Sequence, residues 1–239
     1  MVYPEMSQSQ TSAGAIAPRI VPFALFMTFI GIDEFLHFLR NQGMIVLTDH
    51  FFLSLYPVKI AIVGSALWLY RAAYVEIKTR DLMQLRTTLI SLMAGSVVFG
   101  LWIWMIWPFA IFGNLSGFDP SVFKDDSFKY FMIMIRLAGA VIVVPIMEEI
   151  FWRSFLVRYL TGPSFSDIGI GQMTIASFLI TTVLFGLEHN LWLAGMMAGA
   201  AYNLLLLHAK SIAQCILAHA VTNFLLGMYV LITKQWFFW

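Results

Sequence analysis

Charge is what this chain has least of. Charged residues make up 11% of its 239, where a soluble domain carries roughly 25%, so an ordinary water-soluble fold is excluded. Cysteine is nearly absent as well. The lone Cys215 rules out an intramolecular disulfide framework, and its apolar setting reads as a small packed hydrophobe. With 14 Lys and Arg against 13 Asp and Glu the net charge is +1, which leaves no basic field to hold nucleic acid. No polar linker divides the chain, and one domain is expected. The N-terminus does not read as a cleavable leader. Residues Met1 to Pro18 are polar and rich in Ser, Gln and Thr, and the apolar run after Arg19 is too long and lacks a clear cleavage site.

What the chain has instead is apolar residues in long runs, 60% of the total with a mean hydropathy of +0.83. About 20 such residues in succession cross a bilayer as a helix. Runs bounded by charge, Gly or Pro predict helices over about 20–40, 51–70, 87–112, 128–160, 172–189, 191–208 and 211–233. The expected fold is all-α, a polytopic transmembrane bundle of seven helices, or eight if a long one is broken. Residues 1–19 form a polar tail and 20–239 a single membrane domain. Arg71, Lys78, Arg80 and Arg86 form the densest basic cluster, and Arg158 and Lys210 fall on the same side. Asp119, Asp125 and Asp126 fall on the other. The positive-inside rule places the basic loops in the cytoplasm, with the N-terminus inside and the C-terminus outside.

Ionisable side chains within spans cost about 2.5 to 3.5 kcal/mol on insertion scales and are functional candidates by default. The fourth predicted helix holds Glu148, Glu149 and Arg153 after a deeply apolar stretch. Glu148 is expected about 18 Å from the helix end near Leu160, close to mid-membrane. Glu149 and Arg153 are one turn apart in the favoured order and can neutralise each other, which leaves Glu148 without a sequence-local partner. His189 closes the fifth helix, one turn after Phe185 and next to Glu188, which reads equally as an interfacial charge. His219 and Asn223 share one face of the seventh helix. Interhelical hydrogen bonding is the plain account of that pair, but both need partners, and Glu148 and His189 are available. Asp33 and His37 also sit one turn apart, and read as a structural or interfacial pair with no second half of a site.

Taken together, Glu148-Glu149 with Arg153, Phe185 with His189, and His219 with Asn223 resemble the signature of the CAAX prenyl protease and bacteriocin-processing (CPBP/ABI) family of intramembrane proteases. That signature is Glu-Glu-x-x-x-Arg, then Phe-x-x-x-His, then His-x-x-x-Asn, and order and spacing both fit from about Val141 to Asn223. Ser154 stands where the family usually has Gly, a departure expected to affect packing more than chemistry. The N-terminal half is most similar to a bacterial, exosortase-associated subgroup.

The resemblance implies an intramembrane endopeptidase with a protease core over about 128–233, multi-pass in a bacterial inner membrane. Its substrate would be a membrane-associated protein or peptide, cut near one end. Glu148 and His189 would activate water, His219 and Asn223 would stabilise the oxyanion, and Glu149 with Arg153 would support the fourth helix. Peptide hydrolysis needs just such a base and such preorganised donors. No cofactor is implied by this glutamic scheme. Zinc is the alternative, held by Glu148, His189 and His219; no Cys ligand and no His-Glu-x-x-His helix argues for it. A non-catalytic transporter or scaffold retaining the fold is the competing class, although no internal repeat is found.

One difficulty concerns depth. On a simple up-and-down layout His189, at a helix end, and His219, about 12 Å into its helix, would not meet. They meet only if the chain near His189 breaks within the membrane or the fifth helix starts outside it. Non-helical backbone at depth has to line a polar cavity, and that cavity is expected to open to the cytoplasm.

Overall fold

The computed structural model describes residues 6–113 and 117–239. The first five residues of the polar N-terminal stretch, and residues 114–116 of the acidic loop, lie outside the described residues. Among the described residues the chain is helical, without strands. The main helices are α1 (Met6–Asn41), α2 (Asp49–Leu69), α3 (Leu85–Trp104), α4 (Asp126–Tyr159), α5 (Ile175–Leu187), α6 (Trp192–Ala209) and α7 (Ile212–Thr233). All but α5 are long and apolar enough to cross a membrane.

The element boundaries follow the apolar runs, with three differences. Helix α1 begins well before Ile20, and Arg19 is buried inside it. Helix α3 stops at Trp104, and the apolar stretch after it forms only a short turn at Pro108–Ala110, where proline cannot supply the next helical hydrogen bond. Helix α5 is 13 residues long, about 20 Å, against about 30 Å of bilayer hydrocarbon. Thr174 fixes its start, its side chain accepting from the Ser177 N–H while the Ser177 hydroxyl accepts from the Thr174 N–H.

Helix α4 is continuous but not uniformly α-helical. It widens into π geometry over Gly139–Val143 and again over Ile150–Leu156, on either side of the regular turns Val144–Glu149. Proline accounts for part of this. In the first π stretch the Val144 N–H donates to Gly139 O, so the next carbonyl, Ala140, would take its hydrogen bond from residue 145. Residue 145 is proline, which has no N–H. Asn223 Nδ2 on α7 donates to Ala140 O instead, at 2.8 Å.

Two polar networks close the end of the bundle that carries the basic loop. Gln214, fully buried at the start of α7, donates to Asp81 O and Thr88 Oγ1 at 2.8 and 2.9 Å and accepts from Ser91 at 2.7 Å. Arg19 pairs with Glu76 at 2.8 Å and donates to Ser154 Oγ at 3.2 Å, while the Ser154 hydroxyl also donates to Glu76. Ser154 therefore does more than fill space, since a glycine there could not tie α4 to α1 and the basic loop. Beside these networks α3 and α7 cross closely at Gly95, where a Cβ would run into the Ala218 carbonyl.

Candidate active site

The two π stretches leave Glu148 and Glu149 on a short regular segment, both buried, and His219 of α7 reaches both. Its Nδ1 lies 2.9 Å from Glu149 Oε1, and its Nε2 lies 3.9 Å from Glu148 Oε2. Glu149 also accepts from Arg153 at 3.1 Å. The Arg153 guanidinium is buried against the Phe185 ring, 4.5 Å from its centroid, and donates to Gly199 O at 3.3 Å. The sequence-expected pair is thus present, and it holds a histidine as well as a helix. Glu148 is different. Both glutamates leave a buried Oε2 without a partner, but Glu149 is held through Oε1, whereas the Glu148 carboxylate accepts no hydrogen bond at all among the described residues.

His189 meets this group because α5 is short and the chain turns over residues 188–191 before α6 begins. Its Nδ1 is 2.7 Å from Phe185 O. A carbonyl can only accept, so Nδ1 carries the hydrogen and Nε2 is the free ring nitrogen. The turn is not left bare, because the Phe112 N–H donates to Asn190 O at 2.7 Å. The depth difficulty is resolved by a break within the bundle.

A cavity of about 150 Å³ unites Glu148, His189, His219 and Asn223. Asn223 spends one amide hydrogen on Ala140 O and has a second one left. Tyr202 stacks on His219 with ring centroids 4.9 Å apart, its hydroxyl donating to Thr222 at 2.8 Å, and Trp102 meets His189 edge-on at 5.3 Å. These aromatic walls keep bulk water away and strengthen polar interactions inside. Beyond Phe185, Ala198 and Thr222 at the level of the polar group, the lining comes from Ala140 and Val144 of α4, Leu226 of α7, and Phe238 and Trp239. Those residues belong to the half of the bundle away from the basic loop. The Gln214 and Arg19 networks fill the end beside that loop.

Three participants carried no clear signal in the sequence. Glu188, legible only as a boundary charge, is largely buried and accepts from Trp152 Nε1 at 3.1 Å. It lies beside His189, with 3.9 Å between its Oε1 and the ring Nδ1. Tyr202 and Trp102 read as ordinary aromatics of apolar helices. For a metal, the residues gathered most tightly are Glu148, Glu188 and His189, whose ligand atoms lie within 4.8 Å of one another. His219, expected in a zinc set, commits one nitrogen to Glu149 and stands outside that group.

The family model described as type II CAAX prenyl endopeptidase Rce1-like matches residues 130–225. Over these residues the chain is similar to the Rce1-like family. No curated protein and no solved structure matches the chain. The Rce1-like segment runs from inside α4 to the middle of α7, and so contains every residue of the three motifs. The match assigns the family and no narrower subgroup. Six membrane-length helices, three of which fall in or overlap the Rce1-like segment, make this an integral, multi-pass membrane protein.

Proposed function

We propose that the chain is an intramembrane endopeptidase that hydrolyses a peptide bond near the end of a membrane-associated protein or peptide, without a metal. The observation that carries this reading is the unpartnered, buried Glu148 carboxylate, which opens on a cavity shared with His189, His219 and Asn223. The family match supports the reaction class; the roles below rest on geometry.

Glu148 and the free Nε2 of His189 both face the cavity as proton acceptors. A water held between them loses its proton as it attacks the peptide carbonyl. The carbonyl carbon becomes tetrahedral and its oxygen takes the negative charge. The second amide hydrogen of Asn223 donates to that oxygen. His219 Nε2 can donate to it only as an imidazolium, with Glu149 as its counter-charge and Arg153 holding Glu149 in turn. The acidic proton gained by the base then passes to the leaving amine, and the C–N bond breaks.

A metal-dependent version has one observation in its favour, the Glu148, Glu188 and His189 grouping. His189 fits such a role, because a ligand histidine usually gives its other ring N–H to a carbonyl or carboxylate. When bound there, zinc would supply Lewis acidity to a water.

Hydrolysis that depends on Glu148 is tested by incubating purified protein with a degenerate peptide library in ¹⁸O-water. The expected fragments carry one ¹⁸O in each new carboxyl group, and they disappear with Glu148→Ala. Fragments that persist unchanged in Glu148→Ala would contradict the assignment of the base.

A further inference from the structure

A second cavity, of about 460 Å³, lies between α1, α2 and α4. The Asp33–His37 pair lines it, and the second half of that cluster comes from elements far away in sequence. Arg40, Asp49, Lys59, Asp119 and Arg136 complete the charged wall. Most of these charges are answered. Arg40 lies 2.7 Å from Asp49, and His37 lies 3.8 Å from Asp33. Asp119 accepts from the Ser121 N–H at 2.9 Å. Lys59 and Arg136 remain without a salt bridge, although Asp33 lies near enough to Lys59 to offset part of its charge.

Both cations rest on one ring. The Lys59 ammonium is 5.2 Å and the Arg136 guanidinium 4.3 Å from the Tyr56 centroid. Among the described residues neither takes part in a salt bridge, and the buried Arg136 Nε has no hydrogen-bond partner. Two cations held together inside membrane-spanning helices are costly unless something negative joins them. The Tyr56 ring offers only part of that compensation. Trp239 lines this cavity and the catalytic one alike, so one indole stands between them.

We propose that Lys59 and Arg136 bind the terminal carboxylate of the peptide whose scissile bond lies in the catalytic cavity. The proposal rests on the protease reading above and adds to it the chemistry of substrate selection. The planar fork of Arg136 suits a carboxylate, and Lys59 adds a point charge beside it. Arg136 precedes Glu148 by 12 positions on α4, about 18 Å along the axis. An extended peptide advances about 3.3 Å per residue, which places the carboxylate roughly five residues beyond the cleaved bond. Two adjacent cations also suit a lipid phosphate. The wall shared with the catalytic cavity favours the peptide.

The test measures retention of a degenerate, fluorescent octapeptide library on immobilised Glu148→Ala protein in neutral detergent. The library is supplied as free acids and as C-terminal amides. The acids are expected to be retained about tenfold more than the amides, as for a charge-assisted hydrogen bond. The ratio should approach one in Arg136→Gln and Lys59→Met, and Arg136→Lys, which keeps the charge, should preserve part of it. Equal retention of acids and amides by the protein with both cations intact would overturn the proposal whatever the variants do. So would an acid preference that survives loss of both cations. Equal retention together with phosphatidylglycerol that co-purifies through Arg136 would assign the cavity to lipid phosphate. Cleavage by the wild-type chain is read separately. Preference without cleavage would count against the protease reading alone, and cleavage without preference against the carboxylate site alone.

Discussion

His219 presents Nδ1 to Glu149 and Nε2 to Glu148, so two neighbouring glutamates that point about 100° apart on a helix meet at one imidazole. The consequence is a division of labour between residues of the same type. Glu149 is fully buried, hydrogen-bonded to Arg153 and His219, and committed to structure. Glu148 is left free to react. Truncating one partner of a buried pair strands the other charge and costs about 3–5 kcal/mol. Glu149→Ala is therefore expected to lose that much stability against denaturant, and Glu148→Ala little or none. A Glu148→Ala variant as unstable as Glu149→Ala would mean that Glu148 holds the fold together instead. These roles were partly legible from spacing, since Glu149 and Arg153 are one turn apart and Glu148 has no local partner. Glu188 was not legible. Its position at a helix end suits an interfacial charge equally well, and only the fold brings Trp152 and His189 against it.

At the scale of elements, the π stretches of α4 and the shortness of α5 decide which side chains meet. Pro145 marks the first π stretch in the sequence, but its effect depends on Asn223, which is 78 positions later and answers the carbonyl that proline cannot. Asn223 thus braces α4 as well as facing the cavity. The lengths of the helices follow from apolar runs, because each run must match the bilayer. The early end of α5 does not, since an apolar sequence continues on both sides of Glu188 and His189 and hydropathy cannot show a turn inside the bundle. The crossing of α3 and α7 is set by Gly95, where backbone meets backbone at the Ala218 carbonyl. Thr222 of α7 also donates to Gly95 O at 2.9 Å. Gly95→Val is expected to separate the two helices and lower stability by about 1–3 kcal/mol, the usual range for overpacking. It should also displace His219 and Asn223 and so reduce any cleavage more than its stability loss explains. Thermal unfolding and turnover measured on the same preparation check both effects, and an unchanged melting temperature would contradict the close crossing.

For the whole molecule, the membrane bundle was readable from composition and run length, because hydrocarbon permits few alternatives to helices. The three motifs, each weak alone, converge on one cavity, and their order in the sequence carried that information. Which half of the bundle holds the cavity was not readable. Positive-inside bias orients the loops but says nothing of which half of the bundle is filled, and here Gln214 and Arg19 fill the half beside the basic loop. A second charged cavity, built mostly by α1 and α2 with Arg136 of α4, comes from residues that belong to no motif, which is why Lys59 and Arg136 carried no signal. The central claim is that the buried Glu148 serves peptide hydrolysis without a metal. The most direct measurement is turnover of the peptide library by purified protein in detergent, comparing wild type with Glu148→Ala, each with and without chelator. The account predicts wild-type cleavage that survives the chelator and falls by about 10²- to 10⁴-fold in the variant, the range for loss of a positioned base. Cleavage that Glu148→Ala leaves intact, or that the chelator abolishes and zinc restores, would contradict it.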